Sequence, residues 1–147
     1  MMQQYNISEF GCNLIINTNE DNPDIVRTML PIPPTSLIVK GEQKTNSKGI
    51  LIPDTFQKYN LWIYKEPKLF SEPLLYLNNS IEKVVNLIEE SEKEFLDVIK
   101  KFQNTYLLCY AYYYSENEYF KLDKSLIIKL SYYNLSLEFD IYCLRST

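Results

Sequence analysis

Apolar residues recur along the chain with two alternating periods, two and about 3.6 residues, and each switch between them marks a new element. Phe10, Cys12, Leu14 and Ile16 alternate with Glu9, Gly11, Asn13 and Asn17, which predicts a first strand; Ile15 breaks the alternation. Asn22 and Pro23 then pair a capping residue with a proline suited to the first helical position. Ile25, Val26, Met29 and Leu30 form one face of the short helix that follows. Pro31, Pro33 and Pro34 end it, because proline has no N–H and disfavours a helical residue before it. Residues 36–42 are β-rich, residues 43–56 are polar and predict a long hairpin loop, and residues 59–65, with Trp62, predict a third strand.

The second half is dominated by the helical period. Leu77, Ile81, Val84, Val85 and Ile88 make an apolar stripe ending near Glu90. Ser91 with Glu94 predicts a capping box at the start of a helix that buries Phe95, Ile99 and Phe102. Residues 105–114 are the strongest strand segment. Asp123 predicts the cap of a helix carrying Leu126, Ile127 and Leu130. Leu135, Leu137, Phe139, Ile141 and Cys143 alternate with Ser136, Glu138, Asp140 and Tyr142, a final half-buried strand. The expected order is β-α-β-β-α-α-β-α-β, a ferredoxin-like pattern extended by one helix and one strand. An α+β fold with helices on one face of a mainly antiparallel sheet satisfies it.

At 147 residues the chain has the size of one domain, and residues 1–147 are expected to fold as such. A chain of this size buries roughly 70% of its unfolded surface, so no disulfide or metal staple is required. No window approaches the roughly 18 apolar residues of a membrane helix, and no basic region leads into an apolar stretch at the N-terminus, so neither membrane span nor signal peptide is expected. Cys12, Cys109 and Cys143 are odd in number and set among apolar residues. They read as buried thiols in a reducing compartment, with one disulfide and a spare thiol as the alternative, and a cytoplasmic location follows. The formal net charge of −4 and scattered lysines argue against nucleic acid and suit a protein partner with a basic surface.

Candidate chemistry narrows further. The chain has no histidine, which removes the usual neutral-pH base and the commonest metal ligand. Three isolated cysteines do not supply zinc-site spacing, and Gly11, Gly41 and Gly49 are too far apart for a phosphate loop, so no metal and no cofactor are expected. Asn17, Asn19, Asp21 and Asp24 resemble part of a calcium loop, but the loop glycine is missing and Thr28 stands where the closing glutamate belongs. A turn running into a helix cap accounts for them. Glu138 and Asp140, about 7 Å apart on one strand face, are the residual acid–base candidates, and a solvated sheet face accounts for them better, without chemistry.

Thirteen tyrosines are present, and in residues 105–114 one face carries Tyr106, Leu108, Tyr110, Tyr112 and Tyr114. Leu107, Cys109 and Ala111 on the other face suit contact with helices. The tyrosine row should therefore line the opposite face of the sheet, and with Glu138, Asp140 and Tyr142 it would form an aromatic, acidic surface for a partner. Strand propensity alone also favours tyrosine there. Glu90 and Glu94 at the helix junction are a second partner-binding candidate, although acidic residues suit a helix N-terminus on dipole grounds.

Pro33, Pro34 and Thr35, then Lys40, Gly41 and Glu42, then Leu61 and Trp62, the helical pair, and the closing run Leu137, Glu138, Phe139, Asp140, Ile141 and Tyr142 together resemble the bacterial DUF4279 family. The resemblance implies a small α+β domain over most of the chain and supplies no catalytic residues. Domains of this kind resemble immunity proteins, which implies a toxin or effector as partner. The long segment between Glu42 and Leu61 and the tyrosine run depart from the family pattern.

Overall fold

In the computed structural model, which describes residues 9–67, 69–70, 75–113 and 121–143, the first alternating segment forms the central strand β1 (Glu9–Asn17). Phe10, Cys12, Leu14 and Ile16 lie on one face of it and are fully buried. Asn22 caps the next element as expected, its Oδ1 accepting from Asp24 N at 3.0 Å. That element is a 3-10 helix of six residues, Pro23–Thr28, rather than an α-helix. Val26 and Leu30 are buried, with Ile25 and Met29 packed against the core beside them.

The strand β2 (Ser36–Ile38) is shorter than expected. The segment expected to be a loop is instead a separate antiparallel ribbon of β3 (Gln43–Thr45) and β4 (Leu51–Phe56). Its turn is held by Asn46, whose Oδ1 accepts from Lys48 N at 2.8 Å and Ile50 N at 3.0 Å, and by Gly49 at φ +78. The ribbon buries neither face, and Ile50, Leu51 and Phe56 remain more than half exposed. A ladder without a buried side leaves no period in the sequence, which is why composition pointed to a loop.

Next come β5 (Leu61–Lys65), the two-residue β6 (Leu69–Phe70), α1 (Leu75–Glu89), α2 (Glu92–Lys101), β7 (Thr105–Tyr113), α3 (Lys124–Tyr132) and β8 (Ser136–Cys143). The sheet has the order β2-β5-β1-β7-β8, with β6 continuing along the β5 side of β1. β5, β6 and β7 all run antiparallel to β1, and β2 runs antiparallel to β5. Among the described strands only β7 and β8 pair in parallel, with α3 in the connection between them. The element order thus differs from expectation in its first helix, in the ribbon and in β6. The α+β class and the mainly antiparallel sheet stand as read.

A single core joins Cys12, Leu14, Ile16, Trp62, Leu107 and Cys109 of the sheet to Leu77, Ile81, Val84, Phe95, Val98, Leu126 and Leu130 of the helices. These residues share one sheet face, so the helices lie together on that side. Two caps differ from expectation. Ser91 makes no side-chain cap bond, and its N–H, the group a capping-box glutamate would accept from, donates to Ile88 O at 3.0 Å. Asp123 stands at the N-cap of α3, yet its side chain turns to α1, where Asn78 Nδ2 donates to Asp123 Oδ2 at 3.1 Å and Asp123 N donates to Asn78 Oδ1 at 3.0 Å. No helix of the described residues is long and apolar enough to cross a membrane.

Candidate functional site

The face of the sheet opposite the helices carries the chemistry. On β7, Leu107, Cys109 and Ala111 are fully buried against the helical layer, so Tyr106, Leu108, Tyr110 and Tyr112 turn the other way. The parallel register then sets Leu108 beside Glu138, Tyr110 beside Asp140 and Tyr112 beside Tyr142. The expected aromatic and acidic surface is therefore one contiguous face. Tyr110 and Tyr112 have ring centroids 5.7 Å apart at 36°, and Tyr112 and Tyr142 are 5.6 Å apart at 39°. Three rings thus form a tilted ladder across β7 and β8.

On the other side of β7 the register opposes Gly11 to Tyr110 and Ile15 to Tyr106. A Cβ at Gly11 would lie 2.5 Å from Tyr110 Oη. The missing side chain is what lets the Tyr110 phenol lie across β1, the close approach that an isolated strand glycine signals. Beside it runs a groove of about 250 Å³, floored by Leu108, Tyr110 and Tyr112 and rimmed by Glu9, Glu66 and Asp140 with Asn13 and Lys65. Toward the C-terminal end of β1 the face becomes apolar. Ile15, the residue that breaks the alternation, is only 5% exposed because it pairs with Ile63, itself 7% exposed.

The carboxylates act on the phenols. The Asp140 charge raises the pKa of the Tyr142 phenol. Burial, and then the Glu138 charge, raise that of Tyr106. Phenols are ordinarily protonated at neutral pH, so these rings also offer hydroxyl donors on this face. Such a surface can take the ammonium and guanidinium groups of a partner, by charge and by ring faces.

Glu138 and Asp140 share the face but not the groove: Asp140 lines it, whereas Glu138 is exposed outside it. Glu90 and Glu94 are exposed at the junction of α1 and α2, in the helical layer, and do not join the tyrosine face. Tyr114 lies outside the described residues. Glu9, Lys65 and Glu66 were not legible as site residues, since only the register of β1 with β5 and β7 brings them to the groove.

A family model for DUF4279, a domain of unknown function, matches residues 8–144. The chain belongs to the DUF4279 family. All the described elements, and therefore the whole tyrosine face, fall within the matched span. No curated protein and no solved structure matches this DUF4279 chain.

Proposed function

We propose that this DUF4279 domain is a non-catalytic protein-binding module working in the cytoplasm, most concretely a bacterial immunity or inhibitor protein that neutralises a toxin or effector by direct binding. The observation that carries the proposal is the ladder Tyr110, Tyr112 and Tyr142 set beside Asp140 and Glu138 on the sheet face opposite the helices. Tyrosine offers a large contact area at small cost in side-chain entropy, and flanking carboxylates steer and orient a basic surface. The partner surface that fits is rich in lysine and arginine.

Affinity capture from the native host tests this, comparing the wild type with Tyr112→Ala and Asp140→Lys. A stoichiometric protein retained by the wild type and lost by both variants supports the proposal. Capture by all three chains alike would move the contact elsewhere, and no stoichiometric partner would count against the binding role itself. Co-expression with the product of the neighbouring gene then asks whether growth inhibition is relieved.

The second reading, a small-ligand-binding regulatory domain, draws on the groove. Its volume of about 250 Å³ falls just below the roughly 300–1,000 Å³ usual for ligand pockets, and we rank this reading second. A small molecule raising the melting temperature by several degrees would promote it.

A further inference from the structure

The antiparallel register of β1 and β7 sets Cys12 directly opposite Cys109. Antiparallel partners alternate between hydrogen-bonded and non-hydrogen-bonded pairs, with Cα separations of about 5.5 Å and about 4.5 Å. The backbone of Cys12 identifies the kind. Its carbonyl accepts from Glu66 N at 3.1 Å, on the side away from β7. Asn17, of the opposite parity, donates its N–H to Asn104 O at 3.0 Å, on the β7 side. Cys12 and Cys109 are therefore a non-hydrogen-bonded pair, the closer of the two arrangements. Both are free thiols and both are fully buried. A disulfide requires Cα atoms about 4.4–6.8 Å apart, so the two strands already hold the pair within bonding range, at its near end.

We propose that Cys12 and Cys109 are a modification site: a buried dithiol that closes to an intramolecular disulfide with a low-molecular-weight disulfide and reopens with a thiol reductant. The reaction is two successive exchanges. One cysteine, as thiolate, attacks a sulfur of R–S–S–R, forming a mixed disulfide with the protein and expelling RS⁻, which takes up the proton the cysteine released. The second cysteine, as thiolate, attacks the protein sulfur of that mixed disulfide, forming the Cys12–Cys109 bond and releasing a second R–SH. Two protein thiols are oxidised and one small disulfide is reduced to two thiols.

The environment sets the rate. The hydrogen bond to Cys109, followed by burial, raises the Cys12 pKa well above its usual value. The thiolate is scarce and the reagent excluded, so exchange proceeds through local parting of β1 and β7, and faster in alkaline solution. The product would link the two strands one residue along from the Gly11 and Tyr110 pair, fixing the floor of the groove. Oxidation state and groove geometry would then be coupled whatever the groove binds.

The test uses the intact chain under native conditions with hydroxyethyl disulfide at about pH 7 and about pH 9, followed by acid quench, alkylation after unfolding and peptide mapping. A linked Cys12–Cys109 peptide pair is expected, forming roughly ten to a hundred times faster at the higher pH and lost with dithiothreitol. Cys143→Ser should leave the link in place, and Cys109→Ser should stop at the mixed disulfide on Cys12. If Cys109→Ser does not fold, mapping of the wild type still decides. Linkage of either residue to Cys143, mixed disulfides that never resolve, or reaction only in the urea-unfolded chain would each overturn the proposal.

Discussion

The Tyr110 phenol occupies the space that a side chain at position 11 would need. The atoms in conflict are the far end of a tyrosine side chain, which can swing aside, so Gly11→Ala should displace Tyr110 rather than the strand. A stability loss of about 1 kcal/mol, at the low end for overpacking, is expected in urea unfolding. In a Tyr110→Ala background the same substitution should cost close to nothing, a coupling that a double-mutant cycle measures. Tyr133 offers a second residue-level test. Its hydroxyl donates to Glu92 Oε1 at 3.0 Å, and burial together with that carboxylate pushes its pKa up to about 12. The folded value lies above the unfolded one, so its contribution to stability is complete below about pH 10 and is lost as pH rises toward about 12. Tyr133→Phe should flatten that alkaline loss, read as unfolding monitored alongside tyrosinate absorbance.

Among the elements, the β3–β4 ribbon stands most apart from the sheet and its core. It is held by its own ladder, the Asn46 turn and the bond from Gln43 Nε2 to Ile52 O at 2.8 Å. Below it the chain has already closed, since Gln57 N donates to Glu42 O at 2.7 Å and Gly41 N donates to Gln57 O at 2.9 Å. Replacing residues 43–56 by an Asn-Gly turn should therefore leave a β2–β5 hairpin, with stability changed by less than about 1 kcal/mol. Circular dichroism and urea unfolding of the shortened chain check this. The ribbon also shows where sequence reading stops. Burial periodicity placed β1, α1, α2 and β7, because Leu14, Ile81, Phe95 and Leu107 each recur against one core. Where no face is buried, as in β3 and β4, hydrogen bonding makes the strands and the pattern carries no trace of it.

For the whole molecule, pairing is what a single sequence conceals. The tyrosine face was readable because it lies on two strands close in sequence, with α3 the one described element between them. The groove and the Cys12–Cys109 contact were not, because β1 meets β7 across roughly two thirds of the chain's length. That placement has a consequence for how the protein is made. β1 precedes every other described element in the chain and sits at the centre of the finished sheet, yet the strand on one of its sides ends only at Tyr113. At translation rates of about 5–20 residues per second, β1 spends on the order of 5–20 s without that neighbour. During that interval its apolar row from Phe10 to Ile16 has no completed sheet to enter and is open to contacts with other chains.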